Sequence, residues 1–138
     1  MRPSRALLAA LGLGLGLLVS AASAQAPEAQ SIIEQQIQAF RAGAHERAFS
    51  YASPGIQRMF RSTDNFTAMV KRGYQPIYGA REWRFGRSKA EGRRLLQEVM
   101  LTGPDGRSWV ALYTMVQDAD GKWRIGGVRI VPGNDLST

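Results

Sequence analysis

The chain has 138 residues, no cysteine, one histidine, and 18 lysines and arginines against 11 aspartates and glutamates, a formal net charge of +7. With 44% hydrophobic and 21% charged residues it has the balance of one globular domain rather than of a disordered segment. The missing cysteines exclude a disulfide framework, a cysteine-ligated metal centre and a thiol nucleophile. The single histidine, His45, excludes every multi-histidine metal motif, so no metal and no cofactor are expected.

In chain order, Arg2 and Arg5 precede an apolar run from Ala6 to Val19, and Ala22-Ser23-Ala24 forms an A-x-A site before Gln25. This is the pattern of a secretory signal peptide over residues 1–24, cleaved between Ala24 and Gln25. The run is shorter than the roughly 20 residues of a membrane span. The expected location is therefore the bacterial periplasm or the medium, with no stable membrane insertion after cleavage. Residues 25–30 are polar and contain Pro27, which reads as a loose leader to a single domain over 31–133, with a short tail at 134–138.

The first half of that domain reads as helical. Ser31-Ile32-Ile33-Glu34 has capping-box spacing, Ile33, Ile37 and Phe40 form one apolar stripe, and Gly43 stands where a left-handed C′ residue is wanted. A second helix is expected over 45–52 with Ala48, Phe49 and Ala52 inward. Ser53-Pro54 reads as an N-cap and first helical residue leading to Ile56, Met59 and Phe60. A last helix is expected over 64–72, capped by Ser62 or Thr63, with Phe66, Met69 and Val70 on one face and Gly73 at its end.

The second half changes period. Runs over 82–89, 93–102, 108–117 and 122–131 are rich in Val, Leu, Trp and Tyr and are separated by compact Gly, Pro and Asp turns. Short turns between successive strands predict an antiparallel four-strand meander, and helices followed by a meander predict an α+β fold with the helices on one face. Trp109, Ala111, Tyr113 and Met115 alternate with Val110, Leu112 and Val116, and Leu95, Val99 and Leu101 alternate with Leu96 and Met100. Apolar residues on both faces predict that the helices cover one face and a ligand-lined wall or another subunit covers the other. Gly126-Gly127 inside the last strand predicts a bulge that curls the sheet.

The segments Ile37–Phe40, Ala48–Ile56, Asn65–Val70, Gly73–Tyr78, Trp109–Met115 and Gly121–Ile125 carry a resemblance over nearly the whole mature chain. The chain resembles a bacterial family known as domain-of-unknown-function family 4864, within the nuclear-transport-factor-two-like superfamily. That resemblance implies N-terminal helices packed on a curved four-strand meander, a cystatin-like α+β cone with a cavity beneath the sheet, and frequent dimerisation through the sheet. It implies no particular activity.

Enzymes of that superfamily place an acid and a base inside the cone, and little here supplies such a pair. His45 reads as an exposed polar position beside Glu46 and Arg47. Most aspartates fall in turns, and Glu98, the one acid in a strand core, reads as the partner of a nearby arginine. The aromatics are more suggestive. Tyr78, Trp83, Arg84, Trp109, Tyr113 and Trp123 are candidate ligand-binding residues of a cavity wall, or else packing for helices or a dimer seam. Residues 71–94 hold eight basic side chains against two acidic: Lys71, Arg72, Arg81, Arg84, Arg87, Lys89, Arg93 and Arg94 against Glu82 and Glu91. This basic patch fits an anionic ligand, lipid, cell-wall polymer or acidic partner as well as a solvated surface. Nucleic acid is not expected as a partner, since export removes it and no recognition motif is present. The sequence thus favours an exported, non-catalytic ligand-binding or accessory module. The alternatives are a homodimerising interaction module and a dehydratase- or isomerase-type enzyme.

Overall fold

In the computed structural model, which describes residues 21–133, helices α1 (Ala21–Arg41), α2 (His45–Ser50), α3 (Pro54–Phe60), α4 (Thr63–Gly73) and α5 (Gln75–Tyr78) come first. Strands β1 (Glu82–Glu91), β2 (Arg94–Thr102), β3 (Ser108–Gln117) and β4 (Trp123–Pro132) follow. The strands pair antiparallel in the order β1-β2-β3-β4, the meander expected from the short turns. Helix α1 packs against both edge strands and β2, so the sheet curls around it into an α+β cone. Most of the expected signal peptide and the 134–138 tail lie outside the described residues. Among those described, no helix is long and apolar enough to cross a membrane.

Two expectations about the N-terminal helix are corrected. Residues 25–30 are not a loose leader: α1 runs through them, Ala26 and Ala29 are buried, and the exposed Pro27 ring faces away from the core. Buried positions at Ala26, Ala29, Ile33, Ile37 and Phe40 make one continuous helical stripe, which carries the helix past Ser31. Ser31 is therefore interior rather than an N-cap, and its hydroxyl accepts from Gln35 Nε2 at 2.9 Å. The helix closes as expected at Gly43 (φ 68°). The Gly43 N–H donates to the Phe40 carbonyl and the Ala44 N–H to that of Ala39, a Schellman pair.

Helix α2 ends at Ser50 rather than at residue 52, because Tyr51–Ser53 joins the sheet. The Ile125 N–H donates to the Tyr51 carbonyl and the Ser53 N–H to the Ile125 carbonyl, each at 2.9 Å. Ser53 and Ser62 cap α3 and α4, accepting from Ile56 N and Asn65 N. The short helix α5 was not expected.

Both sheet faces are apolar, as the alternation implied. Leu95, Val99, Leu101, Ala111, Tyr113, Met115 and Ile125 face the helices as core. Their alternates Leu96, Met100, Leu112 and Val116 lie on the opposite face. The expected bulge falls at Gly126, since Thr114 pairs with Gly127 and Met115 with Ile125. A second bulge sits in β1 between Phe85 and Ser88. Buried Gln97 serves it: its Nε2 donates to the carbonyls of Glu98 (2.8 Å) and Gly86 (3.3 Å), and its Oε1 accepts from Ser88 Oγ (2.7 Å) and Gln30 Nε2 (3.2 Å).

Candidate functional site

The helices do not fill the cone. A cavity of about 370 Å³ lies at its mouth, between α1, α3, α4, the start of α5 and β4. Ile56, Met59 and Phe60 come from α3, Met69 and Val70 from α4, and Val128 from β4 beyond the Gly126 bulge. One wall is an aromatic cluster in which Phe66 stacks on Phe49 (4.9 Å between ring centres) and meets Phe60 edge-on (5.9 Å). Met59, 69% exposed, is the most exposed large apolar side chain among the described residues.

Each of the two polar side chains lining this cavity donates to a backbone carbonyl. Gln36 Nε2 donates to the Ala48 carbonyl at 3.0 Å, and Tyr74 Oη to the Val128 carbonyl at 3.4 Å. No carboxylate, imidazole, amine or guanidinium is in the lining. Such a site offers van der Waals contact and exclusion of water, with no group placed to exchange a proton. Its wall residues were legible in the sequence only as inward faces of helices. A cavity is volume left between elements, and no periodicity marks it.

The six candidate ligand residues separate into three places. Trp83, Arg84 and Trp109 border one open trough of about 1660 Å³ that wraps the Pro132 end of the sheet, Trp83 and Trp109 from the helix-facing side and Arg84, paired with Met100, from the opposite face. The Arg41 guanidinium lies over the Trp83 ring, 5.4 Å from its centre. Tyr78 stands apart, accepting or donating at 2.9 Å with His45 Nε2, packed on Phe40, with Lys71 Nζ 5.4 Å from its ring centre. His45 is thus half-buried against Tyr78 rather than an exposed polar residue. Tyr113 and Trp123 are 1% and 3% exposed and belong to the core, because their strand positions face α1 rather than an opening. Burial pushes the Tyr113 phenol well above its ordinary value.

The basic segment also divides. Lys71 and Arg72 end α4, whereas Arg81, Arg84, Arg87, Lys89, Arg93 and Arg94 run along the β1–β2 hairpin. Arg87 grips Glu98 at 2.8 Å, and that hydrogen bond holds the Glu98 carboxyl below the usual range. Glu98 is therefore the partner of an arginine, as expected, and Lys89 pairs with Glu91 at 3.7 Å. Arg41 and Arg107 join Arg81 and Arg84 around the trough, although the sequence separates them from that segment.

A solved structure described as an NTF-2 like protein of unknown function from Burkholderia xenovorans LB400 is similar to this one, with a TM-score of 0.43 and 14% sequence identity over 82% of this chain and 94% of that chain. No curated protein matches the sequence. A family model described as Domain of unknown function (DUF4864) matches residues 22–138, most of the chain, and the protein belongs to that family.

Proposed function

We propose that this domain is an exported, non-catalytic module that holds a small apolar molecule in the cavity at the mouth of the cone. The observation that carries this reading is the lining: apolar side chains from four helices and β4, with the Gln36 amide N–H and the Tyr74 hydroxyl each donating to a backbone carbonyl. The volume of about 370 Å³ lies within the range of small-ligand sites. Export rests on the Arg2/Arg5, apolar-run and A-x-A pattern of the N-terminus.

Native mass spectrometry of the mature protein, purified from the compartment where it accumulates, tests both parts. The expected result is a chain beginning at Gln25 that carries an adduct of low polarity. Ile56→Trp, which fills the cavity, removes the adduct while circular dichroism stays unchanged. Binding would be refuted by an empty wild-type protein that also takes up no alkanoate or sterol when these are added.

A second reading, a homodimer through the sheet, draws on Leu96, Met100, Leu112 and Val116, which lie on the face opposite the helices. Trp109 and Tyr113 share the helix-facing side, so Leu96→Asp and Leu112→Asp are the informative variants. Sedimentation velocity should show a wild-type dimer that they convert to monomer; a monomeric wild type at tens of micromolar ends this reading.

A further inference from the structure

On the face of the sheet turned away from the helices lies an open hollow of about 750 Å³. The strand register lays out its side chains in two neighbouring rows. One row runs from Lys89 on β1 through Leu96 and Thr114 to Gly127 on β4, and the next holds Glu98, Leu112 and Arg129. Their chain neighbours Ala90, Leu95, Tyr113 and Val128 pack against the core on the helix side, so both rows stand together on the one outer face.

The middle of the hollow is apolar and its ends are cationic. Leu96 is 36% exposed, and half-buried Leu112 is its diagonal neighbour on β3. Gly127 adds no side chain, and a Cβ there would meet nothing within 4 Å, so the floor stays open beside Thr114. Lys89 and Arg129, both exposed, stand on the two edge strands, three strand spacings or about 14 Å apart at the backbone. Arg129 takes part in no ion pair among the described residues. Lys89 meets Glu91 at 3.7 Å, a solvated pair that holds it weakly. Arg87 grips Glu98 through both Nε and Nη2, which neutralises the carboxylate in the lining. Three cations against that one carboxylate leave the hollow with two positive charges in excess.

We propose that this hollow binds a linear dicarboxylate with an apolar middle, lying across the strands with one carboxylate on Lys89 and the other on Arg129. The methylene chain covers Leu96 and Leu112 and removes them from water. The Arg129 fork matches a carboxylate bidentately, and Lys89 supplies a point charge to the other. Extended decanedioate spans about 11 Å between its carboxyl carbons, so both side chains lean inward to meet it. A compact dianion reaches one end alone, and a monocarboxylate leaves the other end unmatched. A second copy of the chain fits less well. Free cations stand on both edges of this face, Arg84 and Lys89 on β1 and Arg129 on β4, so an isologous contact sets like charges together whichever way the copy is turned.

Titration of the purified protein with decanedioate, followed by backbone amide chemical shifts, tests this against hexanedioate, which is too short, and decanoate, which has one charge. Leu96 and Thr114 report this hollow, whereas Ile56 and Met69 report the cone mouth, so failure of one reading leaves the other standing. The Leu96 and Thr114 amides should respond to decanedioate below millimolar concentration, at least tenfold more tightly than to hexanedioate or decanoate. Arg129→Gln and Lys89→Gln should each reduce decanedioate to the level of decanoate. Both side chains are exposed, so these variants keep the fold. The proposal is overturned if the two amides do not respond at millimolar decanedioate, if hexanedioate or decanoate binds there as tightly, or if Arg129→Gln leaves the affinity unchanged. It is overturned equally if sedimentation shows a dimer that Leu96→Asp dissociates and that takes up no decanedioate, since the second copy then occupies the face.

Discussion

Tyr113 is the largest fully buried side chain of the domain, and its hydroxyl has no hydrogen-bond partner among the described residues. An unpaired buried hydroxyl costs about 1–3 kcal/mol of desolvation. Tyr113→Phe should therefore raise stability at neutral pH by about 1 kcal/mol, read as a rise of a few degrees in the melting temperature. The same burial sets a pH dependence. The folded phenol titrates above its unfolded value, so its contribution is complete below about pH 10 and is lost as pH rises beyond it, where only the unfolded chain ionises. The advantage of Tyr113→Phe should widen above pH 10; a constant gap between pH 7 and 11 contradicts it. In the sequence Tyr113 was legible as apolar-face strand residue and as ligand candidate alike. Only the packing of α1 on the sheet decides between the two.

At the scale of single elements, the strands and turns were legible because they depend on local chemistry. Gly and Asp set the reversals and alternation set the faces. Gly126-Gly127 marked the β4 bulge, and the structure divides the work between them. A Cβ on Gly126 would stand 3.0 Å from Val116 Cγ1 and 3.4 Å from the Thr114 carbonyl oxygen, whereas one on Gly127 meets nothing within 4 Å. Urea denaturation should show Gly126→Ala destabilised by about 1–3 kcal/mol and Gly127→Ala within about 0.5 kcal/mol of wild type. Equal effects would place the bulge elsewhere. The β1 bulge was not legible: Gly86 is a lone glycine, and the stabilising group is the side chain of Gln97 on the next strand. Ala26 and Ala29 were missed for a different reason. Alanine is too small to register in a hydrophobic period, and Pro27 between them argues locally against a helix that tertiary burial restores.

Across the whole molecule, the candidate site was less legible than the fold, because both hollows gather residues distant in sequence. Arg41 reaches Trp83 from the far end of α1, and Val128 lines one cavity with Ile56 and Met69 at the cone mouth. The same long-range packing predicts that residues 25–30 belong to the fold. They bury Ala26 and Ala29 and bring Gln30 within 3.2 Å of Gln97. A chain beginning at Ser31 should be less stable than one beginning at Gln25 by about 2 kcal/mol, measured by chemical denaturation. Equal stability would show that the first turns of α1 contribute nothing.

Helix α1 passes through the Ala24–Gln25 bond without a break, and this imposes an order of events. A peptidase acts on chain that is open rather than on hydrogen-bonded turns. On the export reading, the cut therefore precedes the closing of those turns or waits for them to fray. Maturation and folding then compete for the same short stretch of backbone, and a molecule that folds first delays its own release.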